Sequence, residues 1–83
     1  MYIIFHNSTR GGLYTIRLQM TGDSDPFPRS FSIVETKYGR ETSYANLGQK
    51  SACDAVNEYN KRIDDYAKYD GIFFVKKLIT NTL

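Results

Sequence analysis

An 83-residue chain with 41% hydrophobic and 24% charged residues holds one hydrophobic core, so a single domain spanning residues 1–83 is expected and intrinsic disorder is excluded. The net charge of +2 is mildly uneven: residues 1–50 carry six Lys/Arg against four Asp/Glu, and residues 51–83 carry five of each, too small a bias to define a nucleic-acid binder alone. Cys53 is the single cysteine, which excludes an internal disulfide and fits a reducing, cytoplasmic setting.

Residues 1–6 read as a strand with apolar side chains on both faces, Met1, Ile3 and Phe5 on one and Tyr2 and Ile4 on the other. They lack the length and basic flank of a signal peptide. Asn7-Ser8-Thr9-Arg10-Gly11-Gly12 is turn chemistry, because Asn and Gly tolerate positive φ, and predicts a hairpin. A second strand runs from about Leu13 to Met20, with Tyr14, Ile16, Leu18 and Met20 facing a core and Thr15, Arg17 and Gln19 facing away.

Residues 21–28, with Pro26 and Pro28, break regular structure. From Arg29 to Lys37 Phe31 and Ile33 alternate with Ser30 and Ser32, until Val34 and Glu35 disturb the phase as a bulge would. Tyr38-Gly39-Arg40 then forms a hairpin tip, with Glu41–Leu47 returning as a short fourth strand.

The helix is expected over 51–69. Ala52, Ala55 or Val56, Tyr59, Ile63, and Tyr66 or Ala67 recur at spacings of three and four and define an apolar stripe. Ser51 is an N-cap residue with Asp54 three positions on, and Asp70-Gly71 supplies the stop. On the polar face Glu58–Arg62, Lys61–Asp65 and Asp64–Lys68 sit at i,i+4, each pair contributing roughly 0.2–0.5 kcal/mol. Ile72–Ile79 reads as a last strand, with Phe73, Val75 and Ile79 against Ile72, Phe74 and Leu78. No apolar run reaches the ~18–20 residues of a membrane-spanning helix, so no membrane partner is expected.

The fold class predicted is α+β: an antiparallel sheet of four to five strands with one amphipathic helix packed on one face, in the order β-β-β-(β)-α-β. One helix covers one sheet face, so the second apolar set on the first and last strands needs another partner or stays exposed.

Catalytic chemistry finds little support. His6 is the single histidine, which precludes a two-histidine metal site and reads as a strand-end residue. Cys53 lies in the first helical turn, where a thiolate is stabilised by the helix dipole, but a small residue at a helix boundary accounts for it as well. Asp23-Ser24-Asp25 begins like a calcium loop and is interrupted by Pro26 without the required glycine and distal glutamate. No catalytic residue, cofactor or metal is therefore expected, and the chain reads as a non-enzyme.

Two binding chemistries remain. Arg10, Arg17, Arg29, Lys37, Arg40 and Lys50, interleaved with Tyr14, Tyr38 and Tyr44, suit nucleic acid presented to a sheet, although Asp23, Asp25, Glu35 and Glu41 dilute the charge. Seven tyrosines and five phenylalanines exceed what one helix can bury, and Tyr is common at interface hot spots. Tyr2, Ile4, Phe27, Tyr38, Phe73 and Val75 are the candidate protein-contact residues, for a partner protein or for self-association as a dimer.

Ala45-Asn46-Leu47-Gly48 followed by Ser51-Ala52-Cys53-Asp54-Ala55-Val56-Asn57-Glu58-Tyr59-Asn60-Lys61 resembles the last strand and helix of AP2-like DNA-binding domains, but lacks their aromatic after Leu-Gly. Tyr2-Ile3-Ile4-Phe5 and Gly11-Gly12-Leu13-Tyr14-Thr15-Ile16 are similar to the opening hairpin of HicB-type antitoxins. Their β-β-β-α-β order recurs in small inhibitors, phage proteins that bind host enzymes among them. Neither resemblance transfers a functional residue. The expectation is a small protein-binding regulator or inhibitor, with a DNA-binding module as the alternative.

Overall fold

The computed structural model describes residues 2–22 and 29–76 and shows the α+β class. Strands β1 (Tyr2–Ser8), β2 (Tyr14–Thr21), β3 (Ser30–Lys37) and β4 (Arg40–Gly48) precede helix α1 (Ala52–Asp65), which continues as a π-helical turn, Tyr66–Asp70, before the two-residue strand β5 (Val75–Lys76). The sheet order is β4-β3-β2-β1-β5, antiparallel throughout. The chain therefore leaves one sheet edge after β4 and returns on the opposite edge as β5, and α1 makes that crossing over one face. Residues 77–79 of the expected last strand, Met1, and residues 23–28 with Phe27 lie outside the described residues.

The core forms where the predicted alternation of β2 meets the helix stripe. Ile16 and Leu18 of β2, Phe31 and Ile33 of β3, and Ala55 and Tyr59 of α1 are buried together, with Met20, Ala45, Leu47, Val56 and Ile63 packed around them. Phe5 stacks on Tyr59 with ring centroids 5.8 Å apart. The Tyr59 hydroxyl shares its proton between Asn7 Oδ1 at 2.7 Å and the Ile16 carbonyl at 2.9 Å, as a buried phenol requires. Ala52, expected on this stripe, is exposed, because the apolar face starts one turn later, at Ala55.

The helix begins and ends as its sequence directs. Ser51 accepts a hydrogen bond from the Asp54 N–H at 3.1 Å, satisfying one of the otherwise orphaned amides of the first turn. Gly71 closes the C-terminus at φ 67°, its N–H bonded to the Tyr66 carbonyl, a left-handed conformation that glycine adopts without Cβ strain.

Three irregularities fall elsewhere than the pattern suggested. The β2–β3 ladder runs without a shift from Tyr14↔Lys37 to Thr21↔Ser30, so Val34 and Glu35 do not form a bulge. Both are buried, Val34 on the face away from α1 and Glu35, opposite Ile16, on the face toward it. The register shifts lie instead between Ile3 and Phe5 on β1 and at two places on the β3–β4 ladder, where Thr42 and Leu47 are the extra residues. The shift on β1 breaks the expected alternation, and both Ile4 and Phe5 pack against the core.

The face away from α1 is mainly polar. It carries Thr15, Arg17 and Gln19 of β2, Ser32, Val34 and Thr36 of β3, and Tyr44 and Asn46 of β4, as the pairings require. Arg17 Nε donates to Gln19 Oε1 at 3.0 Å, and the Thr15 and Thr36 hydroxyls bond across the strands. Of the second apolar set expected on the first and last strands, Ile3 of β1 and Val75 of β5 lie on this face by their pairings with Gln19 and Ser8.

Candidate functional site

Antiparallel connectivity brings three chain reversals to one end of the sheet: the β1–β2 turn, the β3–β4 turn, and the stretch from Gly71 into β5. The first is held by Thr9, whose N–H donates to the Tyr14 carbonyl at 3.0 Å and whose hydroxyl accepts from the Tyr14 N–H at 3.1 Å. The second is a two-residue turn, since Lys37 pairs directly with Arg40 and both Tyr38 (φ 55°) and Gly39 (φ 77°) take positive φ, as a type I′ hairpin demands. A hydrogen bond from the Tyr38 N–H to the Leu13 carbonyl, 2.9 Å, ties the two turns together. The third approaches through Val75, opposite Ser8.

Exposed apolar side chains gather at this end. Tyr38 is 70% exposed, Phe73 69%, Val75 55% and Leu13 36%, while two more exposed tyrosines, Tyr44 and Tyr69, lie elsewhere, on β4 and at the helix C-terminus. Beside them lies a shallow depression of about 310 Å³ whose lining includes Arg10, Leu13, Tyr14, Ile72 and Phe73. The Lys37 ammonium sits 5.3 Å from the Tyr14 ring centroid and 5.5 Å from that of Tyr38, cation–π contacts of roughly 0.5–1 kcal/mol each at an exposed site.

The candidate residues divide accordingly. Tyr38, Phe73 and Val75 of the protein-contact set lie at this end of the sheet, Tyr38 at the β3–β4 tip and Phe73 and Val75 toward the β5 edge; Ile4 does not, being half-buried against the core. Tyr2 enters the description through its backbone pairing with Met20, and Phe27 lies outside the described residues. Of the cations, Arg10, Lys37 and Arg40 are exposed at this end. Arg17 is bonded to Gln19 in the middle of the polar face, and Arg29 and Lys50 flank the far ends of β3 and β4. Leu13 was not singled out from the sequence, because it reads there as the first residue of a strand.

A second polar grouping lies between α1 and β3. Arg62 Nη1 is 3.1 Å from Glu35 Oε2, the carboxylate being on a residue only 5% exposed, and the Tyr66 hydroxyl donates to Glu35 Oε1. Arg62 thus pairs with Glu35 rather than with Glu58, and among the described residues no helix-surface ion pair closes to 4.0 Å. A groove of about 240 Å³ beside this cluster is lined by Glu35, Arg62, Asp65, Tyr66, Tyr69 and Asp70. Burial, then the hydrogen bond that the hydroxyl donates to Glu35, then the charges of Glu35 and Asp70 push the Tyr66 hydroxyl up to about 12, against an opposing effect of Arg62. Glu35 is already engaged by both partners, so the cluster serves to seat the helix C-terminus on the sheet.

Among the described residues no group of three or more His, Cys, Asp or Glu is arranged to hold a metal ion, and no helix is long and apolar enough to cross a membrane. Cys53 is exposed on the first turn of α1, with the Asn57 amide 4.0 Å from its sulfur. Comparison with known proteins gives no match to this chain among family models, curated proteins or solved structures. Neither sequence resemblance therefore gains support, and the observed order has four strands before the helix rather than three.

Proposed function

We propose that this chain is a non-catalytic binding protein, a small regulator or inhibitor of another protein, that engages its partner through the turn end of the sheet. The observation that carries this reading is the convergence of Leu13, Tyr38, Phe73 and Val75, exposed and contributed by three separate reversals of the chain. Apolar and aromatic groups surrounded by polar ones are what the centre of a protein interface requires. A dimer formed through the same end is the self-association form of this reading.

Nucleic-acid binding is the second reading, favoured by the presence of Arg10, Lys37 and Arg40 at that end. It is weakened by the position of Arg17, Arg29 and Lys50, which do not extend the three into a stripe that could follow a phosphate backbone.

Affinity capture from the native host, run in parallel with and without nuclease treatment and comparing wild type with Phe73→Ser/Val75→Ser, separates the two. The protein reading expects a defined protein that is retained at high salt and lost by the double variant. Recovery of nucleic acid instead, released steeply by added salt, would establish the alternative. Light scattering on the purified chain reports a dimer directly.

A further inference from the structure

We propose that the β3–β4 hairpin tip, Lys37 to Arg40, is the anchor of this surface and that it takes an acidic segment of a partner protein; the proposal rests on the protein-binding reading above. Two features of the tip are unfavourable for folding and lie side by side. Tyr38 holds φ at 55°, where an L residue with a bulky side chain is rare and where Asn or Gly would sit without strain. Lys37 and Arg40 are directly opposed across the strands, a like-charge pair that destabilises a hairpin. Among the described residues neither has a carboxylate within 4.0 Å.

The fold recovers little from this arrangement. Tyr38 is 70% exposed, with the Lys37 ammonium 5.5 Å from its ring centroid. Backbone strain and unpaired charge concentrated on an exposed aromatic tip are what a binding anchor shows, with the conflict resolved when the partner arrives. Carboxylates offset the charge part of that conflict, the Lys37–Arg40 repulsion. They pair in bidentate fashion with Arg40, sit against the Lys37 ammonium, and leave the tyrosine ring free to be covered by apolar groups.

The tip does not stand alone. Its backbone is tied to Leu13, and Leu13 lines the depression that also holds Arg10 and Phe73. An acidic segment that also carries an apolar side chain would cover both the cations and this depression. Stacked bases could cover the Tyr38 and Phe73 rings but give no matching cover for the aliphatic Leu13 and Val75, which is why an acidic protein segment carrying an apolar side chain is favoured over nucleic acid.

A random linear dodecapeptide display library selected on the immobilised wild-type chain tests the assignment. Selected peptides would be labelled and titrated against wild type, Tyr38→Asn, Lys37→Gln/Arg40→Gln and Phe73→Ser. The expected peptides are enriched in Asp and Glu and carry an aromatic or aliphatic residue. Their affinity should fall about tenfold or more in Tyr38→Asn, in the range of a hot-spot loss, while its thermal midpoint stays unchanged or rises. That pairing excludes simple unfolding. The charge-neutralised variant should bind weakly and lose its salt dependence. Peptides without acidic enrichment, or affinity for Tyr38→Asn within about twofold of wild type, would overturn the anchor. Loss confined to Phe73→Ser would overturn it while leaving the protein-binding surface standing. If no peptide is selected and wild type binds a labelled 20-nucleotide strand through Lys37 and Arg40, both readings fail together.

Discussion

Glu35 and Arg62, 27 residues apart in the chain, meet at 3.1 Å where the side chain of Glu35 is 7% exposed and that of Arg62 33%. Breaking a buried pair from one side leaves an uncompensated charge, a loss of about 3–5 kcal/mol when both partners are fully buried. Here the guanidinium is partly hydrated, so Arg62→Met should fall toward the lower end of that range. Replacing both partners, Glu35→Leu with Arg62→Met, should recover most of the loss because no charge is left in the interior. Urea unfolding of the four proteins gives the coupling; additive single-variant costs would show that the two side chains act independently.

Tyr66 gives the fold an alkaline limit. Its hydroxyl is held up at about 12 against the ordinary 10.0, with burial the largest cause. Between those values the folded chain keeps a proton that the unfolded chain has released. The contribution is therefore complete below about pH 10 and is lost as pH rises through about 12. Tyr59, whose hydroxyl is also pushed upward by burial, acts in the same direction. Tyr66→Phe should be less stable than wild type near neutrality, and the difference should narrow as urea midpoints are followed from pH 8 to pH 11.5. Midpoints that decline in parallel would show that Tyr66 does not contribute to the slope.

The legible and illegible parts of this chain follow from how far each residue's partners lie in sequence. The alternation of β2 and the stripe around Tyr59 were readable because one face of each element is buried and the other is not. Ser51, Gly39 and Gly71 act within a few residues of themselves, so cap, hairpin tip and stop were legible too. Glu35 was not, since the partners that let a carboxylate occupy a core position, Arg62 and Tyr66, come from an element that only the tertiary fold brings near. The apparent phase break at Val34 and Glu35 is that same fact seen without the helix. Arg62, read locally, looked like the i,i+4 partner of Glu58 for the same reason. At the candidate surface, exposure of Tyr38, Phe73 and Val75 was foreseeable from the surplus of aromatic and β-branched residues. That they share one end depends on the β5–β1 pairing, which no local pattern encodes.

Helix initiation offers a clean measure of local capping. The Ser51 side chain accepts the Asp54 N–H at 3.1 Å from an exposed position, with little packing to confuse the result. Ser51→Ala should cost about 1 kcal/mol and Ser51→Asp should cost close to nothing, since Asp caps equally well. Chemical denaturation reads both. An equal loss in the two variants would mean that the serine is held by something other than its cap.

Tyr38 and Gly39 share the same left-handed backbone region, so substitutions at these adjacent positions should act with opposite sign. The left-handed conformation costs an L residue about 1–2 kcal/mol, and the cation–π contact that Tyr38 makes with Lys37 returns roughly 0.5–1 kcal/mol. Tyr38→Asn, which tolerates positive φ and suits the first position of a type I′ turn, should therefore stabilise the fold by about 0.5–1 kcal/mol. At Gly39 an added Cβ meets nothing within 4 Å, which removes steric contact as a cause. Gly39→Ala should still lose about 1 kcal/mol because φ is 77° and that region disfavours Cβ. Thermal midpoints rising for Tyr38→Asn and falling for Gly39→Ala would locate the strain in the tyrosine's backbone. A fall in both would mean that the ring contributes more to the folded tip than its exposure suggests, and that the anchor is built for stability.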